Sequence, residues 1–167
     1  SIAIVYATQT GQSKCIAESL HDLAQKHNFE PQLYDIAEHD TKFTFAELRC
    51  PLVFVCSTTG DGETPESSRK VYSKLKRTSP DLSGLDYALL GLGDSNYSQF
   101  CNGPKLFHKR FHDLGATCFY GPFWADDGVG MELEVEPFKE GLWNALNDVL
   151  GIKNETPSQQ TSNLLKS

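Results

Sequence analysis

The chain has no apolar run approaching the roughly 20 residues that a membrane-spanning helix needs, and no leader of the charged, apolar and small-residue kind. Neither a span nor a secretory signal is therefore expected. Cysteine is sparse and odd in number: Cys15, Cys50, Cys56, Cys101 and Cys118 include no C-x-x-C pair. That count argues against a disulfide scaffold and for reduced thiols in a cytoplasmic setting. Positive charge is in deficit, 15 Lys and Arg against 22 Asp and Glu, for a net charge of −7. Nucleic acid and anionic membrane surfaces, which select basic patches, are disfavoured, and a basic partner surface suits the chain better. The spacing G-x-x-x-x-G-K-[ST] is absent, so nucleotide triphosphate hydrolysis is not supported, and G-x-G-x-x-G does not follow the first apolar strand. There is no internal repeat and no initiator Met: Ser1 leads straight into an apolar run, as expected of an excised or processed fragment.

What is present is a globular composition, 39% hydrophobic and 11% aromatic over 167 residues, enough for one domain with a substantial core. The text alternates strand-like and helix-like stretches. Ile2 to Ala7 and Leu52 to Ser57 are unbroken apolar runs, the signature of strands buried on both faces of a parallel sheet. Gln32 to Ile36, Tyr87 to Leu92 and Thr117 to Gly121 supply three further strands. Ile16, Leu20, Leu23 and Ala24 recur at helical spacing up to Asn28, a left-handed stop. A second helix follows Pro65 with Val71, Tyr72 and Leu75 inward, and a third spans 104–114 with Leu106, Phe107, Phe111 and Leu114 inward. A loop is predicted over Pro122 to Gly130, and a last helix from Pro137 to Leu150 carries Phe138, Leu142, Leu146 and Val149. Residues 38–50 and 131–136 are compatible with more than one structure. Beyond Gly151 the polar text reads as linker, so residues 1–151 are expected to form the domain and 152–167 a hinge. Five strands alternating with helices imply an α/β fold with a doubly wound parallel sheet in the order 2-1-3-4-5.

Three loops stand at strand ends, where such sheets bind ligands. Thr8-Gln9-Thr10-Gly11-Gln12-Ser13 follows the first strand and opens a helix. Its N–H groups and hydroxyls can surround a phosphate at the positive helix end without any lysine. Ser57-Thr58-Thr59-Gly60-Asp61-Gly62 follows the third strand, and Gly91-Leu92-Gly93-Asp94-Ser95-Asn96-Tyr97-Ser98-Gln99-Phe100 the fourth. There, glycines admit close approach, polar side chains offer hydrogen bonds, and Tyr97 and Phe100 present flat rings to an aromatic ligand. One phosphate site and two ring-sized loops together suit flavin mononucleotide.

These three motifs resemble the FMN loops of flavodoxins and of the FMN domains of diflavin reductases, over roughly residues 2 to 150. The resemblance implies that Thr8 to Ser13 hold the FMN phosphate and that Tyr97 stacks on one face of the ring. It places Ser57, Thr58, Thr59 and Gly60 along the other face and edge, with the Gly60 carbonyl accepting from the protonated central-ring nitrogen of the one-electron-reduced flavin. Leu92, Gly93 and Asp94, with Phe100, Cys101 and Asn102, would bracket the pyrimidine side, and Asp126 stands where the family keeps an acid near the flavin. Many diflavin reductases have Tyr at the position of Thr59, so a more open flavin edge is implied here. The resemblance further implies electron transfer with no catalytic side chain, an FAD and NADPH reductase domain in the same polypeptide beyond the hinge, and a protein electron acceptor. A self-contained flavodoxin or an FMN-dependent quinone reductase is the alternative.

Other motifs are blander. His108 and His112 stand four apart, but no third ligand accompanies them and no metal is expected. Trp124 and Trp143 read as core or rim aromatics. A receiver-type signalling module shares the strand order but needs an acceptor Asp where this chain has Ser57, and paired acids where it has Thr8-Gln9. Acids crowd 121–140, with Asp126, Asp127, Glu132, Glu134, Glu136 and Glu140 against Lys139, as expected of a rim that steers basic partners.

Overall fold

The computed structural model describes residues 1–8, 11–57, 66–96 and 100–151. Its sheet is five-stranded: β1 (Ile2–Ala7), β2 (Pro31–Asp35), β3 (Leu52–Ser57), β4 (Asp86–Gly93) and β5 (Thr117–Asp126). All strand pairs are parallel and the order is β2-β1-β3-β4-β5, as the alternating text predicts. Helices α1 (Gln12–Lys26), α2 (Glu66–Thr78), α3 (Asn102–Asp113) and α4 (Glu132–Val149) cover the two faces.

Alternation along the strands builds two cores. Ile2, Ile4 and Tyr6 of β1 join Val53, Val55 and Leu90 under Leu20 of α1 and Phe138, Leu142 and Leu146 of α4. Ala3, Val5 and Ala7 join Phe54, Cys56 and Leu89 under Val71 and Leu75 of α2 and Phe107 and Phe111 of α3. Because both faces are covered, β1, β3 and β4 read as continuous apolar runs. The second core is rich in edge-to-face rings: Phe54 meets Phe107 at 5.2 Å, and Phe111 meets Phe45 at 5.1 Å and Tyr87 at 5.0 Å between centroids. Among the described residues, no helix is long and apolar enough to cross a membrane.

Three sequence expectations need correction. β5 does not stop at Gly121 but continues through Pro122 to Asp126, with a register irregularity opposite Tyr87 to Leu90. It is an edge strand, where a residue without an N–H is tolerated. α4 starts at Glu132, with Pro137 inside it. Val135 anchors that early start by burying in the first core, and Glu132 and Glu134 lie where the helix dipole favours acids. Leu106 is 36% exposed, because the buried stripe of α3 runs through Gly103, Pro104, Phe107 and Phe111 and leaves it to one side. The ambiguous 38–50 region contains a short 3-10 turn at Phe45–Glu47, another having formed at Ile36–Glu38, and Asn28 takes the expected left-handed conformation, φ 67°. The segment 152–167 lies outside the described residues.

One polar contact is set inside the second core. Tyr87, 1% exposed, shares a hydrogen bond of 2.7 Å between its hydroxyl and His108 Nδ1, the tautomer of the ring deciding which of the two donates. Burial lowers the His108 pKa from 6.5, and nearby His112 adds to the effect. The folded state therefore binds this proton less tightly than the unfolded chain, so stability falls as pH drops through the ordinary histidine range. The Tm should decrease between about pH 7.5 and 5.5, and His108→Gln should flatten part of that decrease. A variant keeping the full wild-type slope would locate the pH sensitivity elsewhere.

Candidate functional site

The carboxyl ends of β1, β3 and β4 lie side by side, and the sheet reverses its winding between β1 and β3. After β1, the Gly11 N–H donates to Thr8 Oγ1 at 2.8 Å, closing the turn into α1. Gly11 has φ 94°, and a Cβ there would meet nothing within 4 Å, so open space lies in front of the turn. α1 has no side-chain cap and no acidic residue in its first turn. Among the described residues no side chain caps the first N–H groups of α1, which can then donate to an anion. Serine 13 turns inward, fully buried, and its hydroxyl is hydrogen-bonded to that of Ser57 at the end of β3.

That hydroxyl pair ties the start of α1 to the end of β3. Both groups are buried, so truncating one leaves the other without its partner. Ser57→Ala and Ser13→Ala should each cost about 1 to 3 kcal/mol of stability, and the double variant less than the sum. Urea unfolding of all three tests this; strict additivity would show that the hydroxyls act independently.

The third loop is held from behind. Asp126 Oδ1 accepts from the N–H of Ser95 and of Gly128, each at 2.8 Å, and the Asp127 N–H donates to the Gly93 carbonyl at 2.8 Å. Hydrogen bonds from Ser95, chiefly, hold the Asp126 carboxyl below its usual range. Asp94 Oδ1 accepts from the Asn96 N–H at 2.9 Å, making an Asx turn. Leu92 is buried, Gly93 and Asp94 half-buried, Ser95 and Asn96 exposed. Close packing explains the glycines: a Cβ on Gly91 would fall 2.6 Å from the Trp124 ring, and one on Gly93 would fall 2.9 Å from Cys101 N and Sγ.

Cys101 precedes α3 in a left-handed conformation, φ 53°, and is fully buried. Burial pushes its thiol up to about 12, with Lys105 opposing and Asp126 adding, so it is a packing group rather than a thiolate nucleophile. Asn102 begins α3, and Phe100 lies under Lys105, whose Nζ is 5.4 Å from its ring centre and 5.5 Å from that of Trp124. The structure thus brings together Thr8, Gly11, Gln12, Ser13, Ser57, Leu92 to Asn96, Phe100, Cys101, Asn102 and Asp126 at one end of the sheet. Gln9, Thr10, Thr58, Thr59, Gly60, Tyr97, Ser98 and Gln99 lie outside the described residues.

Sequence reading missed three supports. The Ser13 to Ser57 bond spans 44 positions, the Asp126 bracket from Ser95 spans 31, and Trp124 packs on Gly91 across the β4 and β5 pair. The one sequence signal was Gly91 in an otherwise bulky strand. Among the described residues, no cluster of His, Cys, Asp or Glu could hold a metal ion.

An uncapped helix start behind a left-handed glycine, hydroxyls in place of lysines, and glycine-permitted close packing at β4 fit a phosphate joined to a flat ring system. The flavodoxin family model matches residues 4–143, and the chain belongs to that family, a class of FMN-binding electron-transfer proteins. Its fold matches that of a flavodoxin mutant from Pseudomonas aeruginosa, with TM-score 0.75 and 24% identity over 87% of this chain and 98% of that one.

Among individual proteins, the chain is 48% identical to methionine synthase reductase of Bos taurus over 146 residues, 86% of this chain and 21% of that protein. It is 31% identical to the sulfite reductase [NADPH] flavoprotein alpha-component of Vibrio parahaemolyticus, over 92% of this chain and 24% of that one. The chain therefore spans about a fifth to a quarter of the length of these relatives.

Proposed function

We propose that this domain receives electrons from an FAD and NADPH reductase module of the same polypeptide and passes them singly to a protein acceptor. The acceptor is methionine synthase, a cobalamin enzyme that is reactivated by reduction. The observation that carries this reading is the 48% identity to methionine synthase reductase across the whole domain. Residues 1–151 act as the FMN domain, 152–167 as the hinge, and the protein works in the cytoplasm.

FMN, when bound, takes up two electrons and releases them one at a time. The chain's own residues bind, orient and screen it. Thr8 to Ser13 hold the phosphate, with Gly11 shaping the turn and the first N–H groups of α1 donating. Ser57 to Gly60 and Tyr97 hold the ring, Leu92 to Asp94 and Phe100 to Asn102 close its pyrimidine side, and Asp126 keeps the third loop in place from behind. Thr59, where many diflavin reductases carry Tyr, leaves that edge more open to a partner.

The acids of α4 and the loop before it supply docking. Asp127, Glu132, Glu136 and Glu140 are exposed, and Lys139, the one base among them, donates to Ser19 Oγ at 3.2 Å. A purified NADPH and FAD reductase half should reduce the FMN-loaded domain faster at low salt, and more slowly as the Debye length contracts from roughly 30 Å at 0.01 M to 10 Å at 0.1 M. A docking-limited rate indifferent to salt would assign those acids to solubility alone. Efficient quinone reduction by the domain without the reductase half would favour a self-contained enzyme instead.

A further inference from the structure

In a chain of net charge −7, α2 is basic: Arg69, Lys70, Lys74, Lys76 and Arg77 face a single acid of the same helix, Glu66. Four of those bases, Arg69, Lys70, Lys74 and Arg77, line a groove of about 740 Å³ between α2 and residues 36–40, shared with Glu66 and Asp40. Lys74 Nζ sits 2.8 Å from Asp40 Oδ1, both side chains being partly exposed. Lys70 and Arg77, both exposed, make no ion pair among the described residues.

His39 stands in the groove wall beside Asp40. Its side chain is 6% exposed, and its Nε2 accepts from the Phe45 N–H at 3.2 Å, which puts the proton of a neutral ring on Nδ1. That Nδ1 lies 3.0 Å from Asp40 Oδ2, the carboxylate that also takes Lys74. Asp40 is thus matched by Lys74 and His39, while Lys70 and Arg77 remain without an ion pair among the described residues.

We infer that this groove docks an extended acidic segment of a protein partner, with carboxylates at alternating positions. At a helical rise of about 1.5 Å per residue, Lys70 to Lys74 advance about 6 Å along the groove, and Arg77 lies about 4.5 Å further on. Side chains on one face of an extended peptide recur about every 6.7 Å, close to the Lys70 to Lys74 step, and the long Arg77 side chain can take up the difference at the shorter step beyond it. A single phosphate would use one of these cations and leave the others idle. A flat anionic membrane or a long nucleic acid would also meet the acids that dominate the remaining surface, whereas a short segment within the groove does not. The surface differs from the acidic rim of α4, giving the domain docking faces of opposite sign.

The test uses the FMN-loaded domain and a fluorescein-labelled peptide, Glu-Ser-Glu-Ser-Glu-Ser, followed by anisotropy. The wild type should bind it, more weakly with rising salt, and should ignore the Gln-Ser repeat. Lys70→Glu with Arg77→Glu should weaken binding about tenfold or more, as should Lys70→Gln with Arg77→Gln to a lesser degree. Lys26→Glu with Lys109→Glu, an equal charge change outside the groove, should leave it within about twofold. Melting curves verify that each variant is folded. The inference is overturned if the wild type does not bind, if both groove variants bind as wild type, if the control loses as much, or if vesicles with phosphatidylserine are bound in preference to the peptide.

Discussion

Gly93→Ala should abolish tight FMN binding while leaving a folded protein, and Gly91→Ala should do the reverse, costing stability first. The distances rank the other way, since the added Cβ at Gly91 would fall 2.6 Å from the Trp124 ring and 2.7 Å from Pro104 Cβ, against 2.9 Å for the nearest atoms at Gly93. What matters is what must move. At Gly91 the obstacles are side chains between β5 and α3, so their repacking disturbs the core, and overpacking of this kind costs about 1 to 3 kcal/mol. At Gly93 an obstacle is the backbone N of Cys101, the residue that turns the chain into α3. Relief there requires parting the third loop from the start of α3, the two segments assigned to the pyrimidine side of the ring. Paired urea melts and FMN titrations of the two variants separate these effects; wild-type FMN affinity in Gly93→Ala would detach the third loop from the cofactor.

Tyr97→Ala should weaken FMN binding about 100-fold. The estimate combines about 2 kcal/mol for aromatic area returned to water with about 1 kcal/mol for lost ring stacking. On the proposed assignment the effect is large because Thr59 brings no ring to the second loop, which leaves the face-on contact to Tyr97. Tyr97→Phe should be nearly silent, since stacking uses the ring and not the hydroxyl. Fluorescence quenching titrations decide it, and a Tyr97→Ala variant with wild-type affinity would place the flavin on other residues.

How much of this could be read from the sequence depended on the range of the contacts. β1, β3 and β4 were legible because each is buried on both faces and so is written in uninterrupted apolar residues. Their order and the reversal beside β1 followed from alternation with helices. β5 was legible only in its first half: Gly121 and Pro122 imitate a loop, and the strand survives them because its outer edge has no ladder to satisfy. The start of α4 was hidden because Pro137 has the look of a first helical residue, while the apolar contact of Val135, invisible locally, carries the helix five residues further back. The loops proposed to contact the flavin announced themselves through glycine, hydroxyl and aromatic residues in short order. The groups behind them did not: Ser13 with Ser57, Asp126 with Ser95 and Tyr87 with His108 are pairings across the fold, and nothing in either member's neighbourhood names the other.

Competition between FMN and riboflavin for the stripped domain tests the central assignment most directly. In the proposed assignment the turn from Thr8 to Ser13 supplies donors that only the phosphate uses, each charge-assisted bond contributing about 1.5 to 3 kcal/mol. The account predicts one FMN per chain, at an affinity at least about 100-fold above that for riboflavin, with Thr10→Ala narrowing the gap by about 1 to 3 kcal/mol. Equal affinities for the two flavins, or no flavin bound at all, would contradict it.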